Sequence, residues 1–170
     1  MRWLLVVVLL FGGCAHKRLY TPSLHPRPLA HIQMDIGVAP VQLPEYLLMD
    51  RLLTKDGEYV EFTFSGEPDW QIQKALVEYL RTALDCRVGL YPWDFATTPP
   101  CILKLHLFSL VWDRKKAKLQ AKVEVEISGK RRSFTLVQEV EDLHEAMDAL
   151  WHKIFDRVAQ IVKKGCYKGR

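Results

Sequence analysis

The sequence lacks the short motifs that mark the common enzyme classes. It contains no Gly-x-Ser-x-Gly, P-loop or Rossmann glycine pattern, which argues against a hydrolase nucleophile elbow and the usual nucleotide-binding loops. Only four cysteines are present, with no Cys-x-x-Cys and no histidine pair of the zinc-finger kind. No apolar run reaches the ~20 residues that a membrane-spanning helix needs. We therefore expect no enzyme, no metal site and no cofactor.

A short hydrophobic segment opens the chain and closes at Cys14. Met1-Arg2 supplies one positive charge, residues 3–11 are apolar, and two glycines precede the cysteine. A charged start, an apolar centre and small residues before a cut are typical of a secretory signal peptide. The glycine pair before a cysteine also resembles the bacterial lipobox, in which the thiol carries a diacylglyceryl group. We predict a signal peptide over residues 1–13 and lipid attachment at Cys14. The alternative is an exported protein with an unmodified cysteine.

The residues after Cys14 predict where the protein is held. Two lipid chains give stable anchoring. Ala15 stands where, by analogy, an Asp retains many lipoproteins in the inner membrane. We therefore expect attachment to the outer membrane, facing the periplasm, rather than to the inner membrane. Three prolines within residues 14–31 favour extended structure and predict a semi-rigid tether that holds a domain of residues 32–170 off the membrane surface.

Charge and cysteine content narrow the partners and the disulfide pairing. Without residues 1–13, Lys and Arg fall from 24 to 23 against 20 acidic residues, a net charge of +3. This mild balance, together with export, argues against nucleic acid as a partner. Cys86, Cys101 and Cys166 remain beside Cys14, an odd number in an oxidising compartment. At most one pair can close, and the pairing stays open.

Hydrophobic periodicity predicts strands, a helix, further strands and a last helix. Apolar residues alternate over residues 31–41, 59–64, 87–91, 102–112, 118–127 and 133–137, with an Asp-Gly hairpin turn before the second of these strands. Apolar stripes with helical spacing predict one helix that opens at Glu67-Pro68 and another over residues 142–163. We predict a single α+β domain, an antiparallel sheet with two amphipathic helices packed on one face.

Three stretches resemble the PqiC/YmbA-type lipoproteins, the auxiliary lipoprotein component of ABC-type transport systems. Residues 36–47 read Ile-Gly-Val-Ala-Pro-Val-Gln-Leu-Pro-Glu-Tyr-Leu, close to the V-x-P-V-x-L-P-x-Y-L run of that family. Glu67-Pro68 heads the first helix, and residues 88–93 are similar to its V-x-x-Y-P-W segment. The chain departs from the family where a tryptophan commonly precedes Glu-Pro, and its Asp50-Arg51 is displaced by two residues.

The resemblance implies a binding protein and not an enzyme. It implies a periplasm-facing accessory subunit of an ABC/MCE-type system that moves lipid or another hydrophobic substrate between membranes and contributes to envelope integrity. The implied partners are an MCE-domain periplasm-spanning protein and the ABC transporter subunits, with lipid cargo and a homo-oligomer left open. The alternative is a stand-alone structural or assembly-assisting envelope lipoprotein with no transporter.

Two stiff loops that present aromatic side chains are the candidate contact segments. Residues 43–47 form the first loop and residues 91–93 the second. The residues that we expect to contact a partner or cargo are Leu43, Pro44, Tyr46, Tyr91 and Trp93. Alanine at Tyr46 and Trp93 should then weaken complex formation and leave thermal stability almost unchanged.

We expect the other candidate residues to pack in the core or face solvent rather than bind a ligand. Trp70 and Trp112 could line a groove, although most of the aromatic residues should pack in the core. His144, Asp148 and His152 lie four apart on the last helix, as in some metal sites. Their face lies ~100° from the centre of the apolar stripe, at the helical period of 3.6 residues. We therefore predict that they face solvent and bind no metal.

Overall fold

Three helices and seven strands make up the described part of the computed structural model, residues 18–93 and 98–166. The predicted signal peptide and Cys14 lie outside these ranges. No helix within them is long and apolar enough to cross a bilayer. In chain order the elements are β1 (Ile36–Val38), α1 (Glu45–Leu48), β2 (Arg51–Thr54), β3 (Tyr59–Glu61), α2 (Pro68–Leu84), β4 (Val88–Leu90), β5 (Cys101–Asp113), β6 (Lys118–Ile127), β7 (Lys130–Glu139) and α3 (Leu143–Cys166).

The long strand β5 organises the sheet. Along one edge it pairs antiparallel with β6 over most of its length, and β6 pairs in turn with the outer strand β7. Two short strands share the other edge, because β1 pairs with residues 101–103 and β2 with residues 111–112. Beyond them, β4 pairs with β1 and β3 pairs with β2. All seven strands therefore belong to one sheet.

The predicted α+β domain with helices on one face is confirmed, but the sheet is mixed. β1 runs parallel to β4 and β5, and β2 runs parallel to β5. Parallel pairing needs a long crossover connection, which α2 provides between β1 and β4. The predicted first strand is also shorter, since only residues 36–38 are paired as a strand. Alternation of apolar residues identifies buried positions and carries no information on strand direction.

The two long helices cover one face of the sheet. α2 begins at Pro68, where the missing N–H breaks no helical hydrogen bond. Its predicted apolar stripe is buried from end to end. α3 follows Asp142, whose carboxylate accepts hydrogen bonds from the backbone N–H groups of His144 and Glu145 at 2.8 and 3.1 Å. α3 packs on β6 and β7, and α2 contacts both β4 and α3.

Residues 18–32, which we name the strap, lie against the domain. Tyr20 is only 2% exposed, and its hydroxyl donates a hydrogen bond to the Asp148 carboxylate at 2.7 Å. The backbone N–H groups of Leu29 and Ile32 donate to carbonyls at the end of α2, at 2.7 and 3.0 Å. The predicted tether is therefore wrong for its described part, because a buried ring and backbone hydrogen bonds fix this segment to α2 and α3.

The three polar residues of α3 that were predicted to face solvent, His144, Asp148 and His152, are half-buried instead. The ring of His144 packs 5.2 Å from that of Phe62, and Asp148 accepts the hydrogen bond from the strap. His152 packs edge-to-face on Tyr79. The prediction was wrong because the helical period locates the apolar stripe but not the strap that covers its flank. Within the described ranges, no group of three or more ligating side chains is placed to hold a metal ion.

Cys101 and Cys166 form a disulfide that joins the start of β5 to the last residue of α3. This is the pairing that the sequence left open. Cys86 remains free and half-buried. Burial, followed by the charges of Asp35 and Asp85, raises the pKa of its thiol to about 11. The free thiol is therefore protonated near neutral pH, and we assign it a structural role.

Removal of the disulfide should lower stability. The two cysteines are separated by 65 residues, and closing so long a loop restricts the unfolded chain. We expect Cys101→Ser with Cys166→Ser to lower the free energy of unfolding by about 2–4 kcal/mol in urea titrations. The matched control, Cys86→Ser, should cost less than about 1 kcal/mol. Equal losses in the two variants would contradict the pairing.

Tyr20 should make stability fall at alkaline pH. Burial, followed by the hydrogen bond to Asp148 and its charge, raises the pKa of the Tyr20 hydroxyl far above its ordinary value. Above about pH 10 the unfolded chain releases a proton that the folded protein keeps, and this favours unfolding. Above that pH, the free energy of unfolding should fall by about 1.4 kcal/mol less per pH unit in Tyr20→Phe than in the wild type, as measured by urea titrations. Tyr91→Phe, at an exposed position, should leave the slope unchanged. If the free energy of unfolding of Tyr20→Phe depended on pH as steeply as that of the wild type, the alkaline loss could not be assigned to Tyr20.

Candidate interaction surface

The sheet face opposite the two long helices, which we name the open face, carries polar and aromatic side chains. The leucines of β5 at 103, 105 and 107 are buried on the helix side. The alternate residues Lys104, His106 and Phe108 therefore lie on the open face. The register places Glu124 of β6 beside His106 and Glu126 beside Lys104. This face combines ionic pairs with an exposed aromatic ring.

Tyr46, from the first candidate loop, is built into the edge of β5. Leu110 lies between the stretches of β5 that pair with β1 and with β2. The Tyr46 hydroxyl accepts a hydrogen bond from the Leu110 N–H at 2.7 Å and donates one to the Leu110 carbonyl at 3.1 Å. Burial raises the pKa of this hydroxyl. The tyrosine thus satisfies backbone groups that lack a strand on this edge, and its main role is structural.

The rest of the first loop places apolar side chains both inside and outside the domain. The Pro44 carbonyl accepts a hydrogen bond from the Leu47 N–H at 3.0 Å and starts the single turn of α1. Leu47 is buried, and Leu43 packs against the core from a half-buried position. Leu48 and Met49 follow at 47% and 55% exposure. These last two, which are not among the predicted contact residues, are the outward part of the loop.

The second candidate loop presents its aromatic rings near the start of β5. Tyr91 and Trp93 pack edge-to-face with their centroids 5.2 Å apart, and Tyr91 is 47% exposed. The indole of Trp93 lies on the backbone of β1, where a Cβ added to Gly37 would approach the ring to 3.1 Å. Gly37 lies between Ile36 and Val38, which are buried on the helix side. The Cβ position of Gly37 therefore faces the open face, and so Trp93 lies there.

A groove of about 630 Å³ lies on β5 between the two loops. Phe108, 44% exposed, packs on the His106 ring with centroids 3.9 Å apart. Lys104 and Arg131 both donate to the Glu126 carboxylate, at 2.8 and 3.0 Å, and these hydrogen bonds lower its pKa. The charges of this groove therefore neutralise one another. Exposed aromatic rings beside paired charges favour contact with a protein surface over capture of a small ion.

Two exposed aromatic residues on the open face were missed by sequence reasoning. Tyr59 is 54% exposed, and its ring lies 6.0 Å from that of Tyr46. Phe108 could have been found, because it falls in the polar phase of β5. The other candidates lie elsewhere: Trp70 is exposed on α2, and Trp112 is half-buried near the end of β5. The structure thus places both predicted loops on or beside one sheet face and adds two residues to it.

Comparison with solved structures shows that this fold is known. It is shared with a Xanthomonas campestris protein of the DUF330 family, with a TM-score of 0.62 and 11% identity over 89% of this chain and 100% of that chain. An uncharacterized protein gives 0.57 at 17% identity, over 81% and 98%. A hypothetical protein from Chlamydia trachomatis gives 0.53 at 10% identity, over 81% and 100%.

These likenesses support the fold and leave the function open. At such identities they show a common architecture, and none of the three proteins has a stated activity. DUF330 is the PqiC/YmbA-like family, so the shared fold is consistent with the family that the sequence resembles. No family model matches the sequence, and no curated protein matches it.

The two hydrogen bonds to Leu110 reverse the expected effect of changing Tyr46. Tyr46→Phe keeps the ring but leaves the Leu110 N–H and carbonyl without their partner. We expect it to lower the free energy of unfolding by about 1–3 kcal/mol in urea titrations. Tyr59→Phe, at an exposed position 6.0 Å away, is the control and should cost less than about 0.5 kcal/mol. If Tyr46→Phe were as stable as the wild type, its hydroxyl would not support the sheet edge.

Proposed function

We propose that this chain is a lipid-anchored, periplasm-facing accessory subunit of an ABC/MCE-type intermembrane transport system. The system moves lipid or another hydrophobic substrate and contributes to envelope integrity. Cys14 carries the lipid that holds the protein in the outer membrane. The domain binds the periplasmic end of an MCE-domain protein, whose ABC transporter subunits lie at the inner membrane. Its role is binding and not catalysis.

The observation that carries this proposal is the exposed aromatic set on the open face. Tyr59, Tyr91 and Phe108 are each about half exposed, at 54%, 47% and 44%, and Trp93 lies beside Tyr91. Aromatic side chains are enriched where proteins bind one another, because a rigid ring buries a large area at a small entropic cost. In the groove beside Phe108, Lys104 and Arg131 are paired with Glu126. The face is therefore suited to docking a protein.

Two further observations support the proposal. The disulfide between Cys101 and Cys166 is typical of a protein that folds in an oxidising compartment, such as the periplasm. The fold is shared with a DUF330 protein along the whole length of that protein. Together with the sequence resemblance, these observations favour an exported accessory lipoprotein of that family. The transporter partnership itself follows from the resemblance.

The first test is recovery of partners from native membranes. The full chain with Cys14 intact and a C-terminal tag would be crosslinked in cells, purified, and its companions identified by mass spectrometry. We expect an MCE-domain protein and ABC transporter subunits. Tyr91→Ala with Trp93→Ala should reduce their recovery at least tenfold, because the rings lie on the proposed contact face.

Trp70→Ala provides the matched control for this experiment. Trp70 is 47% exposed, like Tyr91, but lies on α2 away from the open face. It should leave partner recovery unchanged, and thermal melting would establish that each variant is folded. Recovery of only the protein itself, or of unrelated outer-membrane proteins, would overturn the proposal in favour of a stand-alone envelope lipoprotein.

A further inference from the structure

A basic cavity of about 760 Å³ lies at the end of the molecule where α3 finishes. The strap, the β6–β7 turn and the last turn of α3 surround it. A smaller cavity of about 250 Å³ between β7 and α3 adjoins it. The two share Arg132, Ile161 and Lys164 as lining residues. We name the two together the cationic seam.

The seam is lined by cations that have no acidic partner. No acidic side chain of the described residues lines either cavity. The ion pairs within the described ranges use none of the five cations named below. One of these pairs lies at the edge of the larger cavity, where His31 pairs with Asp85 at 2.9 Å. Like charges that gather without a counter-charge create a positive potential that attracts an anion. The five cations are Lys130, Arg132, Arg157, Lys163 and Lys164.

Two of the cations occupy the phase of β7 that faces the helices. The register places Lys130 opposite Ile127 and Arg132 opposite Val125, and both partners are buried. Phe134, next in the same phase, packs against the core. From the apolar residues around them, apolar side chains would be expected at positions 130 and 132 as well. A charge that points inward on an outer strand can discourage pairing with another strand. Protection of the outer strand would explain the cations of β7, but it does not explain the cations on α3.

The other three cations come from α3. Lys163 and Lys164 lie in its last turn, where positive charge interacts favourably with the helix dipole. Arg157 lies almost two turns earlier, beyond the reach of that effect, and still lines the seam. Protection of the outer strand and the helix dipole therefore each explain part of the cluster. Neither explains why all five cations meet along one seam.

The floor of the larger cavity is apolar. Ile32 and Ile127 are each 3% exposed, and Ile161 is half-buried beside them. The disulfide at Cys166 ties the adjoining end of α3 to β5. The volume lies within the range of ligand pockets, which combine apolar walls with a few polar groups that fix orientation. A cationic rim over an isoleucine floor complements a ligand with an anionic head and a hydrocarbon tail.

We infer that the cationic seam binds an amphiphile whose phosphate-bearing head has a net negative charge, with its phosphate on the cations and its acyl chain on the isoleucine floor. The inference deepens the proposed transport function by naming a ligand class, and it rests on that function for the delivery of the ligand. The strap begins at Arg18, which donates a hydrogen bond to Asp142 at the start of α3. The seam lies at the other end of α3, about 30 Å from Asp142 at 1.5 Å per residue. The seam therefore lies far from the end of the domain that leads to Cys14.

The test is a binding titration with lysophosphatidylglycerol below its micelle concentration. The protein would be the mature chain, residues 14–170, with Cys14→Ser so that no attached lipid competes. Lysophosphatidylcholine has the same chain without net charge, and glycerol phosphate has the anionic head without the chain. We expect lysophosphatidylglycerol to bind at least tenfold more tightly than either. Arg132→Gln with Lys164→Gln should raise its Kd at least tenfold.

The control removes the same number of charges elsewhere. Arg51→Gln with Lys116→Gln changes exposed residues outside the seam and should leave the Kd unchanged. Equal binding of glycerol phosphate would reduce the seam to a simple phosphate site, and equal binding of lysophosphatidylcholine would remove the role of the cations. Either result overturns the inference, as does an unchanged Kd in the seam variant. None of them touches the transporter partnership, which the crosslinking experiment decides separately.

Discussion

The whole domain depends on the pairing of β5. The backbone hydrogen-bonding groups along one edge of this strand pair with β6. Those along the other edge are paired, from one end of β5 to the other, by β1, residues 39–42, the Tyr46 hydroxyl and β2. Because backbone groups that lose water must find partners, each of these segments is held at a fixed height along β5. The first candidate loop begins where the chain leaves that edge after residue 42, and the second follows β4, which is joined to β5 through β1. Their positions on the open face are thus a consequence of how β5 is paired.

The parts of the fold that could be predicted are those with a strong local period. β6 alternates buried and polar residues along its whole length, and the apolar stripe of α2 repeats at helical spacing, so their types and burial follow from local sequence. The parallel pairing of β1 could not be predicted, because it joins segments that are distant in the chain. The strap was misjudged for a related reason. Its prolines favour extended structure, and only the distant Asp148 shows what the extended chain packs against.

The candidate surface was predictable in part. Aromatic residues beside prolines indicated both loops, and the structure places Tyr91 at the surface. The role of Tyr46 could not be read from its neighbours, since it depends on Leu110, 64 residues away. The cationic seam was also out of reach. Lys163 and Lys164 look like an ordinary basic helix end until β7 brings Arg132 against them.

With the proposed lipid on Cys14, the docked strap would limit how far the domain can stand from the membrane. A free tether over residues 14–31 could extend about 60 Å, at ~3.5 Å per residue. The chain is fixed at Tyr20, whose ring is 2% exposed and whose hydroxyl donates to Asp148. From a lipid on Cys14, six residue steps would reach at most about 21 Å. In the proposed location, a domain held this close to the outer membrane would not cross the periplasm by itself. In the proposed system, a partner would therefore have to span that distance, as expected of an MCE-domain protein anchored at the inner membrane.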